Sequence, residues 1–140
     1  MNASGEHTLK TIGMLETLPA EQITKLEGIA NWRNYSSHEQ IIDRDSDSRD
    51  VYFVTRGRVR VVNFSYSGRE VSYDEIVEGG VFGELAAIDE APRSANVIAL
   101  KDTTVASVSP AQFQQLLADN PPFALSIMRR LVSRSSPLLT

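Results

Sequence analysis

Apolar residues recur along this chain in two rhythms, and the change from one to the other divides it into three parts. Over residues 8–30 the rhythm is helical. Leu9, Ile12 and Leu15 predict one short helix, and Leu18-Pro19 punctuates it. Pro19 suits the first turn of a second helix, whose apolar face is Ile23, Leu26 and Ile29–Ala30. After Asn31 the period shortens. Runs rich in valine and aromatic residues predict strands at Trp32–Tyr35, Gln40–Asp43, Val51–Thr55, Gly57–Tyr66, Glu70–Val77, Ser94–Leu100 and Thr103–Val108. Ser67-Gly68 marks a hairpin, Lys101-Asp102 a tight turn, and Asp45-Ser46-Asp47-Ser48 a polar loop. Many short strands at this spacing imply a barrel or sandwich over residues 31–108 rather than a parallel sheet. Helices return over 109–135. Ser109-Pro110-Ala111-Gln112 has the form of a capping box, Phe113, Leu116 and Leu117 make an apolar stripe, and Asn120-Pro121-Pro122 ends that helix and starts another. Phe123, Ile127 and Leu131 share a face of the last helix.

One stretch belongs to neither rhythm. Gly80-Val81-Phe82-Gly83-Glu84-Leu85-Ala86-Ala87-Ile88-Asp89-Glu90-Ala91-Pro92-Arg93-Ser94-Ala95 begins with glycines after a strand, continues as a short helical turn and reaches Pro92 just before another strand. The start of a helical turn leaves backbone N–H groups without partners, and those groups attract an anion. Glu84 offers an acceptor for hydroxyl groups, and Arg93 is a planar fork able to hold a phosphate through two parallel bonds. These residues together point to a small ligand with one negative charge and a hydroxyl-bearing part.

Phe-Gly-Glu-Leu-Ala followed by Pro-Arg-Ser-Ala, with Glu84 and Arg93 nine positions apart, resembles the phosphate-binding cassette of cyclic nucleotide-binding domains. The resemblance runs from Leu9 to Leu131 in the order of helices and strands, and Gly57 matches a glycine that the family carries before a long strand. It implies an α+β, mainly β fold, an antiparallel, jelly-roll-like β-roll flanked by N- and C-terminal helices, in one domain spanning 1–140 with its cassette at 82–95. It also implies roles. Glu84 accepts the ribose 2′-hydroxyl, Arg93 grips the exocyclic phosphate oxygens and Ser94 adds a hydroxyl donor. Gly83 lets the backbone approach the ligand, and the N–H groups of Leu85 and Ala86 contact phosphate or sugar. Phe82 packs either on the ligand or in the core, Ala95 closes the cassette, and Val61 and Val71 lie on strands that line the base pocket. Serine at position 94 tilts the ligand toward cAMP and leaves cGMP open; threonine there accompanies cGMP preference in channels, and alanine accompanies cAMP preference in kinase regulatory subunits. The sequence departs from the family at His38 and Asp45, which occupy loop positions where glycine is common.

Composition narrows the alternatives. A net charge of −4 does not advertise nucleic-acid binding, and the absence of cysteine excludes disulfides, thiolate catalysis and cysteine-ligated metal. With two histidines, His7 and His38, the chain lacks the ligand cluster of a metal-dependent β-roll enzyme. The neighbouring acids Asp89 and Glu90 diverge on a helical turn and do not form a catalytic pair. No apolar run approaches bilayer length, and the start lacks the pattern of a signal peptide, so cytoplasmic residence is expected.

The expectation is therefore a regulatory sensor, bacterial in style, with no enzymatic activity and no cofactor. It would bind a cyclic nucleotide and act through its C-terminal helices on a fused or partner output domain, without contacting nucleic acid or membrane itself. Arg129, Arg130 and Arg134 read as a solvated basic edge. Two competing readings remain open at this point: a β-roll interaction module with no nucleotide ligand, and the sensor half of a transcription regulator lacking its DNA-binding part.

Overall fold

The first apolar residues fold as successive turns rather than as a helix. The computed structural model describes residues 7–42, 49–64, 67, 69–89 and 94–135; for 70–72, 85, 86, 89, 94 and 133–135 it describes the backbone alone. Leu9, Ile12, Leu15 and Leu18 are all at most 5% exposed. The N–H of Ile12 donates to the carbonyl of Leu9, that of Leu15 to Ile12 and that of Leu18 to Leu15, with a 3₁₀ turn at Gly13–Leu15. A strict spacing of three, without the companion at four, matches three residues per turn. Helix α1 (Ala20–Ile29) follows, with Pro19 at its N-cap. Leu26 is buried and Ile23 and Ala30 pack beside it, but Ile29, expected on the same face, is 49% exposed. Ile23 and Ala30 turn to one side of Leu26 and Ile29 to the other, so three of the four define the buried stripe.

Eight strands then form two antiparallel sheets. They are β1 (Asn31–Tyr35), β2 (Gln40–Ile42), β3 (Val51–Arg56), β4 (Arg58–Phe64), β5 (Glu70–Val77), β6 (Val81–Phe82), β7 (Ser94–Ala99) and β8 (Thr103–Val108). One sheet runs β1-β8-β3-β6 and the other β2-β7-β4-β5. Together with the flanking helices this is the expected β-roll. The β6 strand is absent from the sequence reading because two residues are too few to show a period. The Lys101-Asp102 turn joins β7 to β8, which lie in different sheets, so it is a corner of the roll and not a hairpin. The polar loop 45–48 lies outside the described residues.

The sheet β1-β8-β3-β6 has an apolar core on each face. Along β3, Val51 and Phe53 face the helices while Tyr52 and Val54 face the other sheet; on β6, Val81 and Phe82 divide in the same way. Val51, Phe53, Val81, Ala106 and Val108 meet Leu9, Leu15, Leu26, Phe113, Phe123 and Ile127. Val54, Val59, Val61, Phe82, Val97 and Val105 fill the space between the sheets. Strand β8 is accordingly buried along its whole length. The second sheet has one wet face, and β4 alternates exposed Arg58 and Arg60 with buried Val59 and Val61.

Two backbone positions fix the turns. Gly57, between β3 and β4, has φ +94°, and a Cβ there would collide with Thr103 and with the carbonyl of Asp102. His38, at a loop position where the resemblance implies a glycine, has φ +73° and is the one non-glycine with positive φ among the described residues. Its N–H donates to the carbonyl of Ala99 at 2.7 Å. The departure in sequence keeps the left-handed conformation that glycine would adopt there.

After the roll come α2 (Glu84–Asp89), inserted between β6 and β7, then α3 (Pro110–Asp119) and α4 (Pro121–Ser135). The predicted capping box at α3 is complete: Gln112 N–H donates to Ser109 Oγ at 3.1 Å, and Ser109 N–H donates to Gln112 Oε1 at 2.8 Å. No helix among the described residues is long and apolar enough to cross a membrane.

Candidate functional site

The singled-out stretch is anchored at both ends to the roll. At its start, the N–H of Gly79 donates to the carbonyl of Val54 at 2.8 Å, and the N–H of Val54 donates to the carbonyl of Gly80 at 2.9 Å. Strand β6 pairs with β3 through Tyr52–Phe82 and Phe53–Val81. At its far end, β7 pairs with β4, placing Ser94 opposite Phe64 and Ala95 opposite Asn63.

Phe82 is buried between the sheets, its ring stacked on Tyr52 with centroids 4.8 Å apart. The structure thus puts Phe82 in the core, one of the two placements the sequence left open. Gly83 follows at φ +88°, and a Cβ there would sit 2.5 Å from the carbonyl oxygen of Asp50. The close approach that needs a glycine at this position is therefore to the chain's own backbone. Glu84 then opens α2 and is buried, 3% exposed as a residue. It is not the solvated acid that a surface helix start would carry. No buried side-chain nitrogen or oxygen among the described residues lacks a hydrogen-bond partner, so this carboxylate is both enclosed and bonded.

Leu85 and Ala86 lie in the first turn of α2, whose N–H groups have no acceptor within the helix. Of Leu85, Ala86 and Ser94 the backbone alone is described, and Arg93 lies outside the described residues. Ala95 is half-buried. Val61 is buried in the inter-sheet core, opposite Val97 on β7 and Asp74 on β5. Val71 falls at the irregularity where Asn63 pairs with Ser72 and Phe64 with Glu70, an extra residue in β5.

Three residues near the site were not singled out from sequence. Tyr52 carries the Phe82 stack. Asp74 shares the inward side of β5. Gln114 on α3 donates from Nε2 to the carbonyl of Ala87 on α2 at 2.9 Å. The polar positions of an amphipathic helix look alike in sequence, so nothing marks Gln114 there. Asp74 could have been placed by counting alternation from Ile76. From α3 the contacts continue to α4, where Phe113 and Phe123 meet edge to face with centroids 6.1 Å apart. Arg129 and Arg130 are exposed on α4. Burial raises the Asp50 carboxyl above its ordinary range. Among the described residues no group of three or more metal-ligating side chains is gathered.

Residues 32–120 match the cyclic nucleotide-binding domain family. The chain belongs to that family. Among curated proteins it is 30% identical over 112 residues to the cAMP-dependent protein kinase regulatory subunit of Colletotrichum orbiculare, covering 80% of this chain and 28% of that protein. It is 25% identical over 125 residues to Lysophospholipase NTE1 of Phaeosphaeria nodorum, covering 89% of this chain and 8% of that protein. The chain thus spans less than a third of the length of either relative. Both relatives are fungal, and the bacterial style expected from the cassette is not supported by them. In fold, the chain is similar to the sensor domain of the transcriptional regulator DNR from Pseudomonas aeruginosa, with TM-score 0.79, 19% identity, and coverage of 98% of this chain and 92% of that one. The regulatory subunit of a cAMP-independent protein kinase A from Trypanosoma brucei, a triple mutant bound to cAMP in its A site, aligns with TM-score 0.74 at 21% identity over 89% of this chain and 44% of that one. The match to the lysophospholipase covers 8% of that protein, and that enzyme's activity is not carried over to this chain.

Proposed function

We propose that this chain is a regulatory sensor domain that binds a cyclic nucleotide in the 82–95 segment, cAMP ahead of cGMP, and passes occupancy to an output domain through its C-terminal helices. The observation that carries the reading is Glu84: a carboxylate enclosed at the first residue of α2, inside the stretch that matches the cyclic nucleotide-binding domain family. An ionised carboxylate can accept several hydrogen bonds, so Glu84 can keep its partner in the protein and still take a bond from a ribose 2′-hydroxyl. In this reading Glu84 holds the ribose and Arg93 the phosphate. Ser94 and the N–H groups of Leu85 and Ala86 complete the anion cradle, Gly83 sets the backbone, and Ala95, Val61 and Val71 border the sugar and base. Phe82 contributes by fixing β6 in the core. The names of the regulatory-subunit relatives support cAMP as the ligand.

No bond is made or broken in this function. The ligand acts by favouring one of two arrangements, and it does so only as far as its affinities for them differ. The route available to it is short: α2 to Gln114 and Phe113 on α3, then to Phe123 on α4. Cytoplasmic residence and a fused or partner output domain belong to the same reading.

Calorimetric titration with cAMP and cGMP, on the wild type and on Arg93→Ala, tests it. Micromolar or tighter binding is expected. Loss of one partner of a desolvated charge pair costs about 2–5 kcal/mol, so the variant should bind at least about thirtyfold more weakly. A folded wild type that takes up neither nucleotide overturns the proposal and leaves the interaction-module reading.

A further inference from the structure

The helix-facing side of the sheet β1-β8-β3-β6 turns polar where its apolar core stops. Trp32, Ala106 and Phe53 oppose one another across β1, β8 and β3 and belong to the core beneath the helices. The next row on that face is Asn34, Thr104 and Arg56, since directly opposed residues of an antiparallel pair share a face. A bulge puts Arg56 there. Val54 opposes Val105 and Arg56 opposes Thr104, so Thr55 is an extra residue on β3. Plain alternation from Tyr52 and Val54 would aim Arg56 between the sheets; the bulge turns it to the side of Thr104.

This row and Asp102, from the corner between β7 and β8, line a cleft of about 290 Å³. The corner comes so close because Gly57, next to Arg56, has no Cβ; one would fall 2.5 Å from the Asp102 carbonyl oxygen. Thr104 Oγ1 donates to Asn34 Oδ1 at 2.7 Å, which orients the amide and leaves its two N–H donors for another acceptor. Among the described residues the Arg56 guanidinium and the Asp102 carboxylate have no hydrogen bond or ion pair, and they are not paired with each other although they line one cleft. A ligand of one charge satisfies one of them and is repelled by the other, whereas a zwitterion matches both. The volume lies at the low end for ligand pockets, so the zwitterion is small.

We propose that this cleft is a second ligand site, which takes a free α-amino acid. Its carboxylate accepts from the fork of Arg56 and from the Asn34 amide, and its ammonium group donates to the Asp102 carboxylate. The site is separate from the cassette. Gly83 lies against the backbone at Asp50, and Arg56 is six positions further along the chain through β3, roughly 20 Å away. The proposal therefore goes beyond the cyclic nucleotide reading and does not depend on it.

The test is calorimetric titration of the wild type, Arg56→Gln and Asp102→Asn with L-alanine, L-serine and L-glutamine, beside acetate, methylammonium and inorganic phosphate. At least one amino acid should bind the wild type at about 1 mM or tighter. Acetate and methylammonium, each carrying half of the zwitterion, should bind at least about tenfold more weakly, and each variant should weaken the amino acid by at least about tenfold. Both replaced side chains are exposed, so the variants should keep the wild-type thermal midpoint. No uptake of any of the three amino acids at roughly 10 mM overturns the assignment. Acetate or phosphate bound as tightly as the amino acid marks a plain anion site and overturns it too. So does binding that both variants leave unchanged, or weakening that comes only with a lowered midpoint. A wild type that takes up an amino acid but neither cAMP nor cGMP overturns the sensor reading and leaves this site standing.

Discussion

Replacing Gly83 with alanine sets two costs against almost no gain. The residue has φ +88°, where an L side chain costs about 1–2 kcal/mol. The added Cβ falls 2.5 Å from the carbonyl oxygen of Asp50, a backbone atom that no rotamer change can move aside. Forcing extra volume into a filled space adds about 1–3 kcal/mol. Gly83→Ala should therefore lose about 2–4 kcal/mol of stability, allowing for partial relaxation. Gly28 gives the opposite control. It lies inside α1, and a Cβ there meets nothing within 4 Å, so Gly28→Ala should gain about 0.5–1 kcal/mol from helix propensity alone. Denaturant titration of the two variants beside the wild type reads both effects as shifts of midpoint at constant slope. Gly83→Ala should also weaken cAMP binding, because relief of the clash moves either the start of α2 or the segment leading into β3 that carries Asp50. A Gly83→Ala midpoint within about 0.5 kcal/mol of the wild type would refute the claim that the left-handed turn and the Asp50 contact require glycine.

Gly57→Ala should be at least as damaging, about 3 kcal/mol or more, because a Cβ there meets Thr103 and the Asp102 carbonyl at once from φ +94°; thermal unfolding checks it, and an unchanged midpoint would refute it. Asp50→Asn should alter the dependence of stability on pH. Burial raises the folded-state value of Asp50 above 3.8, so the native state favours the protonated form. The wild type therefore loses stability relative to the variant as pH rises through that raised value, and the difference is flat below about pH 3.8. Denaturant midpoints of both proteins at acid and at neutral pH test this, and a difference that moves the other way refutes it.

How legible each part was in the sequence depends on how many faces it buries. Strand β4 was legible because its second face is wet, and Arg58, Val59, Arg60 and Val61 alternate cleanly. Strands β3 and β8 were recognisable as strands, but their two faces were not separable, because both are apolar and lead to different cores. The N-terminal leucines and Ile12 were correctly read as buried and wrongly read as helical, since a spacing of three serves a 3₁₀ run as well. In the cassette, residue types and spacing pointed to Glu84, yet its enclosure depends on Phe82 and Val81 being pinned to β3, a pairing of residues some thirty positions apart.

On the proposed reading, the position of the 82–95 segment gives occupancy there a way to reach the helices. Val81 belongs to the core beneath the helices, Phe82 to the core between the sheets, and Ala87 again to the helical core. Within seven residues the backbone passes from one core to the other and back, with Gly83 and Glu84 at the crossing. Packed cores respond to displacement by switching between discrete arrangements rather than by deforming smoothly. A ligand that draws on Glu84 therefore works against Phe82 on one side and against Ala87, Gln114 and Phe113 on the other. The inter-sheet side is held by β3 pairing and by the stack on Tyr52. Among the described residues the helical side is held by the hydrogen bond from Gln114 Nε2 to the Ala87 carbonyl and by the apolar contacts of Ala87 and Ile88 in the helical core.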